Sequence, residues 1–182
     1  MATGAIETEF KLKTKRLILR PHQISDAGFL LDLNSDPDVT KYVSNEILTL
    51  EQARQRIQSL TQQFQEKRMG RFLVIEKQNN EPIGWCGLKW LPERNVVDIG
   101  YRFLKKFWGK GYATEAGRES LNYGFHKLHL DVIYAGAHPD NAASIQVLTK
   151  LGLKEMGRRI ENGEKYVDFK ISKAEFPNWE PS

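Results

Sequence analysis

Apolar residues change their spacing from segment to segment along this chain, and the spacing predicts the elements. Arg16 to Arg20 reads as a first strand, ended by Pro21. Ser25-Asp26 then reads as the cap of a helix whose apolar side holds Phe29, Leu30 and Leu33. Pro37 predicts a turn and short helix within Asp36 to Val43. Thr49, with Gln52 three residues on, makes a capping box before a longer helix. Ala53, Ile57, Leu60 and Phe64 recur along that helix at its own period. Arg71 to Lys77, Pro82 to Leu91 and Val96 to Leu104 read as a strand meander, turned at Asn79-Asn80 and at Pro92 to Asn95. Helical spacing returns over Thr114 to His126, with Ala116, Leu121, Tyr123 and Phe125 on a broad stripe. Asp131 to His138 is a further strand and Asn141 to Leu151 a further helix, stopped by Gly152. Two last strands flank Asn162-Gly163, a strong hairpin signal. Mostly antiparallel strands, with a helix crossing into a later strand, predict an α+β sheet protein.

Composition narrows the classes. A chain of 182 residues fits one domain with a real core. Its net charge of +4 is mildly basic, short of the concentrated basic face and aromatic stripe of a nucleic-acid binder. No direct nucleic-acid binding is expected. The lone Cys86 excludes an internal disulfide framework and suits a reducing interior. Glu7, Glu9, Lys11 and Lys13 interrupt the N-terminus, so no signal-peptide core is present, and no apolar run reaches membrane-span length. The expectation is a cytoplasmic protein without a membrane partner. Its organisation reads as an N-terminal extension over 1–13, one domain over 14–173 and a tail over 174–182.

The candidate chemistry begins at Lys106 to Ala116, KFWGKGYATEA. Gly109 and Gly111 stand where a strand hands over to a helix N-terminus, where unpaired N–H groups and the positive end of the helix dipole meet. Glycines let the backbone approach a phosphate closely. Arg102, Lys105, Lys106 and Lys110 lie nearby with no acidic residue between Ile99 and Thr114. A polyanion is the expected ligand. A Walker loop is excluded, because Tyr112 follows the second glycine where Lys and a hydroxyl residue would have to stand. A dinucleotide fingerprint fails as well. Thr114 replaces the third glycine, and Asp131 opens the next strand instead of closing it. On the glycines alone an ordinary strand–helix connection stays open.

Three segments together narrow the choice: TKRLILRP with Ser25-Asp26, IGYRFLKKFWGKGYATEA, and HPDNAASIQVLTKLGL. In this order and spacing the chain resembles the GNAT superfamily of N-acetyltransferases over about Thr14 to Lys173. Within it, the likeness is to the RimJ/RimL-like branch, which contains ribosomal-protein N-terminal acetyltransferases. The resemblance implies a mixed, mostly antiparallel seven-stranded sheet flanked by helices. Its fourth and fifth strands would splay apart so that coenzyme A enters the wedge. It implies acetyl-CoA as co-substrate, no metal, and an amine acceptor, either a protein N-terminus or a small molecule. It also admits a homodimer. Lys106 stands where the family more often has Gln or Arg, which keeps a cation and loses a bidentate fork.

Carried over position by position, the resemblance assigns the coenzyme to Phe103, Leu104, Lys106, Trp108, Gly109, Lys110, Gly111, Tyr112, Ala113, Thr114, Asn141 and Ser144. A backbone N–H near Phe103 or Leu104 would stabilise the oxyanion. Unpaired ladder groups would belong to Phe103, Leu104 and Ala135 to Ala137. Many relatives place a tyrosine acid seven residues after the Asn, but here that position is Leu148, on an apolar stripe with Ile145 and Leu151. Ser144 or a water would replace it, although a hydroxyl is a poor acid. Asn141 reads both as a helix N-cap and as a contact in the wedge. Asp98 is the candidate base, the carboxylate inside an otherwise apolar strand, sharing a face with Gly100 and Arg102. Its structural alternative is a pair with Arg102 or a solvated strand start. His138 could relay a proton or simply be a loop histidine, and His126 with His129 lack a third metal ligand.

An α-amine costs about 1 kcal/mol to neutralise at pH 7 and a lysine amine about 4–5 kcal/mol, so a site without a strong base suits an α-amine. Acceptor contacts are expected from Asp36 to Glu46 and from the last hairpin. A non-catalytic acetyl-CoA sensor on the same fold is the alternative.

Overall fold

The computed structural model describes residues 10–43 and 49–177. Its elements follow the predicted order. They are β1 (Leu12–Lys13), β2 (Leu17–Arg20), α1 (Ala27–Ser35), α2 (Pro37–Thr40), α3 (Leu50–Lys67), β3 (Arg71–Glu76), β4 (Glu81–Leu91) and β5 (Val96–Phe103). Then come α4 (Tyr112–His126), β6 (Val132–Ala137), α5 (Ala142–Lys150), β7 (Lys154–Glu161) and β8 (Glu164–Ser172). The strands form one sheet in the order β1-β2-β3-β4-β5-β6-β8-β7. Every neighbouring pair is antiparallel except β5 with β6, which is parallel.

Local signals formed the elements they predicted. Thr49 Oγ1 accepts from Gln52 N–H while Gln52 Oε1 accepts from Thr49 N–H, so the capping box starts α3. Asn80, Asn95 and the Asn162-Gly163 step all have positive φ, as tight turns between antiparallel strands require.

Three expectations are corrected. The sheet has eight strands, not seven, because β1 pairs with β2 at Leu12↔Leu19. Part of the expected extension is therefore in the fold, and Phe10 packs its ring 4.8 Å from Phe64. At the other end Phe176, expected in the tail, is buried 5.2 Å from Phe125. Asp26 holds the N-cap position of α1, but neither it nor Ser25 gives that helix a side-chain cap bond. They lie inside a 3-10 turn, Ile24–Asp26, so the first free N–H falls back to Gln23 and is taken by Asp26 Oδ2 at 2.7 Å.

The two sheet faces carry different layers. Leu88, Val97 and Ile99 pack with Leu121 and Phe125 of α4 and with Leu148 and Leu151 around α5. The opposite face of β4 presents Trp85 to Ala27, Leu30, Ala53 and Ile57 of α1 and α3. Register aligns Trp85 with Arg102, Gly87 with Gly100 and Lys89 with Asp98. The strand period of two then gives these six residues one face. Strands β5 and β6 meet only at Asp98↔Tyr134, whereas β5 pairs with β4 along its whole length. The sheet opens beyond that bridge, as the expected splay requires.

Candidate active site

The glycine loop closes that opening at one end. After β5, a 3-10 turn (Lys105–Phe107) leads to Gly109 at φ 72° and Gly111 at φ 80°. Gly111 is the N-cap of α4, and Glu115 N–H makes the bond back to its carbonyl. The N–H groups of Tyr112, Ala113 and Thr114 precede that bond and have no partner within the helix. They are aimed as an anion site demands. Trp108 pins the loop to the strand end by donating its indole N–H to Phe103 O at 2.8 Å.

Arg16 braces the loop from behind. Its Nη1 donates to Lys110 O at 3.0 Å and its Nε to Glu115 Oε2 at 2.6 Å, with its guanidinium 4.3 Å above the Tyr112 ring. Thr14 Oγ1 and Arg16 N–H both donate to Glu115 Oε1. Burial pushes the Glu115 pKa up, but these hydrogen bonds and the Arg16 charge outweigh it and hold the carboxyl below its usual range. The carboxylate in the first turn is therefore satisfied by Thr14 and Arg16. Tyr112 is core, with its hydroxyl donating to buried Glu76 at 2.7 Å, so its backbone alone remains for a ligand. Lys106 and Lys105 reach Glu81 and Asp38, both as exposed pairs.

Ladder alternation decides which strand groups face the opening. Leu104 N–H donates to Ile83 O at 3.0 Å. Bonded pairs alternate in an antiparallel ladder, so Arg102, Gly100 and Asp98 turn their backbone groups to β4. Those of Tyr101 and Phe103 face β6. On β6, Lys173 N–H donates to Asp131 O, and the same alternation gives Ala135 and Ala137 to β8. Gly136 is left facing the gap. The expected set of unpaired groups is thus corrected: Leu104, Ala135 and Ala137 have their N–H groups committed, while Phe103 N–H and Gly136 keep theirs toward the wedge.

Asp98 pairs with Arg71 of β3, Nη2 to Oδ1 at 2.8 Å, and not with Arg102. Arg71 also donates to Gly87 O and lies flat over Gly100, where a Cβ would come within 2.8 Å of its guanidinium. Glycine at position 100 is what lets Arg71 reach across β4 onto β5. Across the wedge, Asn141 caps α5 by accepting from Ser144 N–H at 3.1 Å. Tyr101 donates its hydroxyl to Ser144 O at 3.0 Å and lies 3.1 Å from Ser144 Oγ. Burial pushes the Tyr101 pKa up, so it stays protonated. Leu148 is fully buried, facing the core. Tyr101 was not among the expected site residues. The only available signal was a tyrosine on the strand facing the Asn141 helix. His138 stacks on Tyr42 at 5.2 Å, linking the end of β6 to the segment after α2. Of the expected acceptor segment, residues 44–46 lie outside the described residues. No cluster of metal-ligating side chains occurs among the described residues.

Such geometry suits an anionic ligand at the mouth of a splayed sheet. Residues 16–154 match the family model described as the acetyltransferase (GNAT) domain. The chain is 38% identical over 148 residues to a protein of Bacillus licheniformis named uncharacterized N-acetyltransferase p20, covering 80% of this chain and 83% of that one. A solved GNAT-family acetyltransferase from Bacillus anthracis superposes with a TM-score of 0.78 at 28% identity, covering 91% of this chain and 100% of that one. RimL, the ribosomal L7/L12 alpha-N-protein acetyltransferase solved with coenzyme A, shares the fold at 16% identity and a TM-score of 0.78, with 90% and 98% covered. This chain belongs to the GNAT acetyltransferase family. It is an N-acetyltransferase, and the sensor reading is not favoured. The family implies acetyl-CoA as the acyl donor, and the loop residues fit it: positive-φ glycines, unpaired N–H groups and nearby cations. No helix among the described residues is long and apolar enough to cross a membrane.

Proposed function

We propose that this enzyme moves the acetyl group of acetyl-CoA to a primary amine, a protein N-terminal α-amine or a small-molecule amine, by direct attack on the thioester. The observation that carries the reading is the single bridge between β5 and β6 beside the N-terminus of α4. Gly109 to Thr114 would hold the pyrophosphate through backbone N–H groups. Lys106, Lys110 and Trp108 would lie along it. Groups of Tyr101, Phe103 and Gly136 would pair with the amide-bearing arm that lies between the strands. Acetyl-CoA itself supplies the activated acyl group.

The amine nitrogen attacks the acyl carbon, and the carbonyl oxygen gains charge that Phe103 N–H would receive. The C–S bond then breaks and the thiolate departs. Ser144, held by Tyr101 through its carbonyl, would turn its hydroxyl proton toward it, and no buried tyrosine from α5 is needed. The attacking amine loses its proton to Asp98 or to water, and Asp98 can take it only through the oxygen that Arg71 leaves open. The acceptor reaches the carbon from the Asp98 face, because α4 and its loop cover the other.

Thiol release from acetyl-CoA, screened over N-terminal peptides and small amines, tests the reading. Acceptor-dependent release supports it; release with no amine in the panel would overturn it. Asp98→Asn is expected to lower turnover about 10²-fold with acetyl-CoA affinity unchanged. Full turnover in that variant between about pH 6 and 9 would return the proton to water.

A further inference from the structure

Several arginines of this fold are matched to carboxylates. Arg16 takes Glu115, Arg20 takes Asp26 through both oxygens, Arg71 takes Asp98, and Arg159 takes Asp168 and Glu161. Arg102 is half-buried, yet its hydrogen-bond partner is the neutral amide oxygen of Asn34 on α1. Its guanidinium lies 5.6 Å from the Trp85 ring centroid. No carboxylate lies within ion-pair distance of it among the described residues. The charge pressing on it comes from another cation, Arg56. Burial first, and that repulsion second, pull its pKa down to about 10. A desolvated guanidinium with only a neutral partner is costly to keep, and an incoming anion removes the cost.

Its position says what the anion belongs to. Arg102 shares a face with Asp98, two residues away along β5, and immediately precedes Phe103, whose N–H faces the wedge. That face is covered by α1 and α3, opposite α4 and the glycine loop. The coenzyme phosphates are on the α4 side, so this face belongs to the acceptor. The other charges near it are spoken for: Asp98 by Arg71, and Asp168 across the wedge by Arg159 and Arg94.

We propose that Arg102 binds a carboxylate carried by the amine acceptor, so that the enzyme prefers acceptors bearing an acidic group close to the amine. This rests on the transferase reading above. The planar fork of arginine suits a carboxylate in two parallel hydrogen bonds. Trp85 beneath it lowers the local dielectric and strengthens the contact. The carboxylate could come from the α-carboxyl of a free amino acid or from an acidic side chain near a protein N-terminus.

Paired acceptors separate these sources: amino acids against their amides, and peptides with Glu against Gln at the second position. Rates are compared per neutral amine, since amidation itself lowers the amine pKa. In wild-type enzyme the acidic member of one pair is expected to lead in kcat/KM by about tenfold or more. The pair that shows the lead identifies the source. In Arg102→Gln the ratio should fall toward unity, and Arg102→Lys should restore part of it. A ratio near unity in wild-type enzyme, or one that Arg102→Gln leaves unchanged, overturns the proposal even if the variant folds poorly, because the wild-type pairs stand alone. Failure to acetylate either member of any pair would instead strike the transferase reading.

Discussion

Replacing Gly100 with alanine isolates the Arg71–Asp98 pair without touching either partner. The new Cβ would stand 2.8 Å from Arg71 Cζ and Nη2 and 3.0 Å from Nη1, inside any real carbon contact. The obstructed group is the far end of a flexible side chain, so Arg71 swings aside. It then gives up the bond to Asp98 Oδ1 at 2.8 Å and the contacts to Asp98 O and Gly87 O. Both side chains are mostly shielded, at 13% and 18% exposed, so water replaces the lost partners imperfectly. Charge-assisted hydrogen bonds of this kind contribute about 1.5–3 kcal/mol. Alanine in a strand regains about 0.5–1 kcal/mol of the entropy that glycine loses on folding. The net expectation is a destabilisation of about 1–2 kcal/mol, read as a shifted urea midpoint at constant slope. In an Arg71→Ala background the obstruction is gone, and the same substitution should be neutral or mildly stabilising. Equal costs in the two backgrounds, or a stabilised single variant, would mean that Gly100 does not serve to admit Arg71.

Gly109→Val or Gly111→Val should weaken acetyl-CoA binding by about tenfold or more, since both positions need positive φ and close backbone approach; unchanged calorimetric affinity in both folded variants would remove the loop from the cofactor site. Ser144→Ala should cost less than about tenfold in turnover, as a hydrogen bond to a thiolate would. A loss above about a hundredfold with acetyl-CoA affinity intact would make Ser144 a proton donor in its own right. Glu119 is buried in α4 with Oε2 unpartnered, and burial pushes its pKa up to about 7. Below about pH 4 both folded and unfolded states hold this proton; as pH rises toward 7 the unfolded state ionises first and the folded state loses stability. Glu119→Gln should therefore raise the melting temperature at pH 8, by a few degrees for about 1 kcal/mol after solvent screening, and leave it unchanged near pH 4. Equal shifts at the two pH values would show that the proton is not involved.

The sequence by itself determined what depends on neighbours within a helical turn or a hairpin. The Thr49–Gln52 box, the Asn162-Gly163 turn, the Asn141 cap and the Gly109–Gly111 loop each act over a few residues, and each stands where it was read. Their order also implied the sheet, because alternating strands and one crossover helix leave few ways to bury the apolar faces. What tertiary structure alone decided is who meets whom across that sheet. A pair with Arg102 in its own strand was the structural alternative for Asp98, and register brought Arg71 from 27 residues away instead. Tyr101 was not singled out from the sequence, and α5 sets Ser144 against its hydroxyl, 43 residues on. Leu104 and Phe103 are indistinguishable by type, yet the phase of the β4 ladder commits the N–H of one and frees that of the other. Even β1 formed only because β2 offered an edge to Leu12. Such pairings are set by strand order and hydrogen-bond phase, which no local window encodes, because a one-residue shift in register would reverse each of them.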